Sequence, residues 1–117
     1  MPEQSLAELA ISLREFAAER DWDQFHSPKN LAMALSVEAS ELMEHFQWLT
    51  EEQSSVLPPE KLQQVQEEIG DVLIYLTRLG DKLGIDILAA AFMKTEKNRD
   101  KYATDKAKGS AKKYTEL

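Results

Sequence analysis

Two stretches of this 117-residue chain each carry a pair of carboxylates one helical turn apart: Glu38-Ala-Ser-Glu41 and Glu68-Ile-Gly-Asp71. Such pairs do chemistry by holding a hard cation or by moving a proton, provided the acids leave water. Glu38 meets that condition. At about 100° per residue it falls about 20° from Leu31, inside an apolar stripe of Leu31, Leu35, Leu42, Phe46 and Leu49. Glu41 and His45 lie at the stripe's edge, and Trp48 follows Glu41 by two turns on that edge. Glu68 borders a second stripe of Val65, Ile69, Val72, Leu76 and Leu79, while Tyr75 follows Asp71 by four.

A carboxylate buried without a partner is costly, and four in low dielectric cannot all stay ionised without counter-charge. Arg78 and Lys82 lie further round the wheel from these acids. A divalent cation resolves the conflict. Oxygen ligands suit Mg²⁺, Mn²⁺ or Ca²⁺, and one Mg²⁺ usually takes only one or two carboxylates, so four acids suit two or more ions completed by substrate phosphates. Spacing alone leaves Glu41, Glu68 and Asp71 open between a solvated and a ligating role. Glu44, Glu51, Glu52 and Glu67 fit a solvated face, Glu67 being the one that adjoins a candidate ligand. A di-iron bundle needs Glu-x-x-His on two helices, and neither His26 nor His45 stands three residues after a Glu.

The elements that must carry these acids read as helices throughout. Leu6, Leu9, Ala10, Leu13, Phe16 and Ala17 form an amphipathic stripe, with Ser5 and Glu8 spaced as a capping box. RDWDQFHSPKN (20–30) breaks the pattern, and Ser27-Pro28 starts a second helix that is expected to run to about Leu49. TEEQSSVLPPE reads as a loop. Pro58-Pro59 opens a third helix to roughly Leu83, closed by Gly84, and Asp86 caps a fourth through Tyr102. The expected architecture is an all-α, four-helix-bundle-like catalytic domain over 1–102, followed by a basic tail over 103–117. VLIYL (72–76) is apolar nearly all round its helix, which predicts cover from a second subunit.

Composition narrows the classes. With 43% hydrophobic and 30% charged residues the chain is globular rather than disordered, and it is long enough for one core. It has no cysteine, no apolar run long enough to span a bilayer and no apparent signal peptide, so cytoplasmic residence is expected with no membrane partner. The net charge of −7 argues against binding a nucleic-acid polymer. Residues 1–100 carry −10 and residues 101–117 carry +3, so an acidic body that handles phosphates needs cations to mediate.

Trp22, Phe25 and His26 crowd one loop, and Trp48 and Tyr75 share helix edges with the acids. Aromatic rings at helical spacing are usually core, as is expected for Phe16, Phe46 and Phe92. Rings beside a cation site also suit a stacked nucleobase. Lys94, Asn98 and Lys101 recur along the fourth helix with Tyr102 adjoining, as a solvated basic face or as a phosphate grip.

The order ExxE, spacer, ExxD resembles the signature of the MazG-like all-α nucleotide pyrophosphohydrolases. ERDWDQFHSPKNL, ELMEHFQW, EEIGDVLIYL, NRDKY and KKYTEL together resemble the branch of that family that acts on dCTP. The resemblance implies Mg²⁺-dependent hydrolysis of dCTP, and of 5-modified dCTP, to the monophosphate and pyrophosphate, in the service of nucleotide-pool sanitation. It implies that Glu38, Glu41, Glu68 and Asp71 are both the catalytic set and the ligands of Mg²⁺, with Mn²⁺ as a substitute. It places Trp22, Asp23, Gln24, Phe25, His26, Trp48 and Tyr75 in the nucleoside pocket and brings Lys94, Asn98 and Tyr102 toward the phosphates. It also implies a homodimer or homotetramer. Some relatives carry a histidine in the first helix where this chain has Leu13 or a neighbour. The alternatives are a broad house-cleaning activity on several nucleoside triphosphates and, from another class, a noncatalytic helical interaction module.

Overall fold

A computed structural model describes residues 4–102, 104–111 and 115, and among them the regular structure is entirely helical. The long helices are α1 (Leu6–Glu19), α2 (Pro28–Glu44), α4 (Pro59–Leu83) and α5 (Ile87–Lys101). Short pieces add a 3₁₀ turn at Asp23–Phe25, a five-residue α3 (Glu51–Ser55) and α6 (Thr104–Ala107). The chain forms two compact units, Met1–Gly84 and Ile85–Leu117. The second unit comprises α5, α6 and the basic tail, whose closing KKYTEL lies largely outside the described residues.

The starts and stops follow local chemistry. Ser5 Oγ accepts from Glu8 N at 3.1 Å, Ser27 Oγ from Asn30 N at 3.1 Å, and Asp86 Oδ1 from Ala89 N at 3.0 Å. Pro28 and Pro59 each occupy the first helical position, where a missing N–H costs nothing. Gly84 closes α4 at φ 68°, a left-handed conformation that glycine adopts without strain. Asp21 takes the same role after α1 at φ 53°: its N–H donates to Ala18 O, and the next N–H, of Trp22, donates to Ala17 O. That paired closure turns the chain sharply and sets Trp22 against α1.

Two boundaries differ from expectation. α2 ends at Glu44 rather than near Leu49, because His45 N and Phe46 N donate three residues back, to Leu42 O and Met43 O, and the last turn tightens. Trp48 therefore sits in a turn and not on the helix edge two turns beyond Glu41. The expected loop 50–60 contains α3, because Thr50 and Gln53 satisfy each other's backbone in a full capping box.

In the first unit α2 packs along α4, and α1 also packs on α4. Ala17, Leu31 and Val65 are the buried apolar centre, joined by Thr77 and Arg78. The stripe of α4 divides. Val65, Val72 and Leu79 face the packed side, whereas Ile69 and Leu76, expected with them, join Leu62, Leu73 and Leu83 on an exposed face. Leu73 borders α1 at Ser5, Leu6, Leu9 and Ser12, so α1 and α2 leave this apolar face only partly covered.

Candidate functional site

The packing of α2 on α4 brings acids together where side chains normally exclude them. One carboxylate oxygen each from Glu38, Glu41 and Glu68 lies within 4.8 Å of the other two, and all three residues are half-buried. Glu38 Oε2 and Glu68 Oε2 are buried with no hydrogen-bond partner. Burial first, and then the closeness of Glu41, Glu68 and Asp71, pushes the Glu38 carboxyl up to about 7. Asp71 stands beside this triad rather than within it: it is half-buried, its charge reaches Glu38, and it lines the neighbouring cavity. Orphaned buried oxygens in a cluster of hard donors fit a divalent cation, which would supply the missing positive charge.

The adjoining cavity has a volume of about 330 Å³ and is walled by Leu13, Phe16, Trp22, Ile74 and Tyr75, with Asp71, His26 and Arg78 as its polar groups. α1 supplies one wall through its i, i+3 pair Leu13 and Phe16. Trp22 and Phe16 meet in a T-shaped contact at 5.7 Å between ring centroids, and the Arg20 guanidinium covers the Phe16 ring at 3.7 Å. Flat apolar walls with a few polar groups, next to an acid cluster, suit a planar heterocycle joined to phosphates.

The residues of the 3₁₀ turn divide by role. Asp23 is committed to structure, since its Oδ1 accepts from Arg78 Nη2 and from Lys82 Nζ, each at 2.6 Å. Lys82 first, and Arg78 after it, hold the Asp23 carboxyl below its ordinary value. Gln24 donates to Asp21 O and Asp21 Oδ2, both at 3.0 Å, while Asn30 Nδ2 donates to Phe25 O at 2.9 Å and ties the turn to α2. Phe25 is exposed, and Trp48 is 87% exposed. His26 faces the cavity and accepts at Nδ1 from Arg78 Nε at 3.2 Å. Lys94, Asn98 and Tyr102 lie on α5 or at its C-cap, in the second unit.

Arg78 is the residue that sequence reading missed. It is only 5% exposed, yet it was placed away from the acids on the wheel. The available signal was its seven-residue spacing from Asp71, which returns it to nearly the same face of α4.

The MazG-like family model matches residues 33–117 of the chain. Mouse dCTP pyrophosphatase 1 is 45% identical over 99% of this chain and 69% of its own length. The human dCTP pyrophosphatase 1 is 43% identical with the same coverage. Among solved structures, a pyrophosphatase from Archaeoglobus fulgidus superposes with a TM-score of 0.76 at 41% identity, over 88% of this chain and 96% of that one.

Proposed function

This chain belongs to the MazG-like family, and on that footing we propose that it is a nucleotide pyrophosphohydrolase that converts dCTP to dCMP and pyrophosphate. The observation that carries the reading is the triad of Glu38, Glu41 and Glu68, with two orphaned buried oxygens, against an aromatic cavity. The names of the mouse and human relatives supply the base, since the cavity's ring walls would stack any of the nucleobases.

Glu38, Glu41 and Glu68 would hold Mg²⁺, or Mn²⁺ in its place, with Asp71 beside them on the cavity side. When bound, the ion supplies positive charge to the phosphates and to the attacking water. Trp22 and Tyr75 orient the base and fix the α-phosphorus relative to the acids, so that much of the rate comes from positioning. Glu41 takes a proton from the water as its oxygen bonds to the α-phosphorus. The bond from that phosphorus to the α–β bridging oxygen breaks, and pyrophosphate carries the electron pair away. Lys94, Asn98 and Tyr102 are the second unit's candidate phosphate-binding residues, and Trp48 stacks on the base from its exposed turn. 5-Modified dCTP is accepted as well, which makes the enzyme a sanitiser of the cytoplasmic nucleotide pool.

The working form is a homodimer or homotetramer. Leu62, Ile69, Leu73, Leu76 and Leu83 leave one face of α4 apolar and open, and a second copy covers it. No described helix is long and apolar enough to cross a membrane.

The deciding assay offers purified protein the four dNTPs and four NTPs, with Mg²⁺ or with EDTA, and separates products by ion exchange. The expected result is dCMP and pyrophosphate with Mg²⁺ and nothing with EDTA. Orthophosphate as the product, or no turnover of any nucleotide, would overturn the proposal.

A further inference from the structure

Arg78 is a buried cation with three polar partners, and the arrangement does more than fasten the 3₁₀ turn to α4. Its Nη2 meets Asp23 Oδ1 at 2.6 Å, its Nη1 lies 3.6 Å from Asp81 Oδ2, and its Nε donates to His26 Nδ1 at 3.2 Å. Both carboxylates are braced by further cations, Asp23 by Lys82 at 2.6 Å and Asp81 by Arg14 through two bonds of 2.6 Å. The guanidinium is therefore flanked by a carboxylate on either side, beside the imidazole.

A guanidinium has five N–H donors and no acceptor. The His26 nitrogen that faces it must present a lone pair, so the ring proton is on the other nitrogen. The same imidazole lines the cavity with Trp22, Tyr75 and Asp71. We propose that Arg78 is a positioning residue that locks His26 in the neutral Nε2–H tautomer, so that the cavity offers a nucleobase one uncharged N–H donor. Burial first, then the Arg78 charge, hold the imidazolium form below its ordinary pKa, with Lys82 adding to this and Asp23 opposing. The distinction matters for the ligand. A neutral donor suits a ring nitrogen or carbonyl of a base, whereas an imidazolium would draw the triphosphate into the space meant for the base. The charge that could have done this is spent on Asp23 and Asp81 instead.

The inference rests on reading the cavity as the base site, and its test separates the two claims. The chain has two histidines, His26 and His45, so ¹⁵N-histidine labelling gives a spectrum that His45→Gln assigns. Long-range ¹H–¹⁵N correlations at neutral pH should show His26 protonated at Nε2 and bare at Nδ1. In Arg78→Gln, whose amide can turn either its oxygen or its NH₂ to the ring, the tautomers should mix, whereas Arg78→Lys, whose ammonium also only donates, should keep the Nε2–H form. KM for dCTP should rise about two- to tenfold while kcat changes little, since a mixed and unheld imidazole makes the base-binding hydrogen bond only part of the time. Nδ1 protonation in the wild type overturns the proposal. So does an unchanged His26 spectrum in Arg78→Gln, or mixed tautomers with KM unchanged. If Arg78→Gln fails to fold by circular dichroism, Arg78→Met, which removes every donor, and the wild-type spectrum still decide. If the wild type turns over no nucleotide, the function fails while the spectra still report whether Arg78 fixes His26.

Discussion

α4 carries two groups of charges about 15 Å apart along its axis, one around Glu68 and one around Arg78. In the second group every acid has a cation: Asp23 has Arg78 and Lys82, and Asp81 has Arg14 and Arg78. In the first, Glu38, Glu41 and Glu68 face one another, and two of their buried oxygens have no partner. Both groups hold half-buried carboxylates on the same helix, so burial alone does not distinguish them. The difference is compensation. A protein that balances one cluster side chain by side chain and leaves its neighbour unbalanced has left room there for a ligand's charge.

The largest expected effect breaks the unbalanced cluster. Glu38→Gln should lower kcat with dCTP by at least about 100-fold, the scale of losing one preorganised electrostatic group. The same substitution should make the metal-free protein more resistant to urea, because it removes a charge that folding disfavours. A variant that loses activity and stability together would show Glu38 to be structural.

Changing pH sharpens the contrast, because the two clusters respond in separate windows. Folding raises the Glu38 pKa from 4.5 to about 7, so the folded state binds the proton more tightly. Its contribution to metal-free stability is therefore fully present below about pH 4.5 and is lost as pH rises through 7. Asp23 and Asp81 are shifted the other way, and their contribution is lost only as pH falls below about 4. His26, with a lowered pKa, loses stability as pH falls below its ordinary value, which overlaps the Glu38 window. The difference between wild type and Glu38→Gln, from urea unfolding in EDTA at pH 5 and 7.5, isolates the glutamate. That difference should be larger at pH 7.5.

Smaller effects belong to the balanced cluster. Asp81→Asn should cost about 2 kcal/mol of unfolding free energy, since it weakens charged hydrogen bonds at a side chain only 14% exposed. Its turnover should fall far less than that of Glu38→Gln. Lys82→Gln should lower the melting temperature least, and the difference should shrink in 0.5 M salt, because its partner Asp23 is 60% exposed and keeps Arg78.

Much of this was readable from residues alone, and the reason is local. Helix starts at Ser5, Ser27-Pro28, Pro59 and Asp86 and the stop at Gly84 depend on side chains within a turn of the boundary. Glu38 betrayed itself by sitting in an apolar stripe. α3 was missed because five residues are too few to show a period, although Thr50 and Gln53 had the capping spacing. The end of α2 was missed because nothing in EHFQWL forbids another helical turn; the chain simply tightens there. Arg78's partner Asp23 lies 55 residues away, which no helical wheel shows, although its seven-residue spacing from Asp71 does place it near that acid's face. The open face of α4 was expected from VLIYL, but which residues it exposes depended on where α1 and α2 pack.

The central claim is that the acid cluster is left unbalanced for a divalent cation. Calorimetric titration of Mg²⁺ into wild type and Glu38→Gln at pH 7, in two buffers of different ionisation enthalpy, tests it most directly. Saturable binding in the wild type, with release of part of a proton from the Glu38 carboxyl, and loss of both signals in Glu38→Gln is the predicted result. Mg²⁺ binding that is absent from the wild type, or equal in the two proteins, would contradict it.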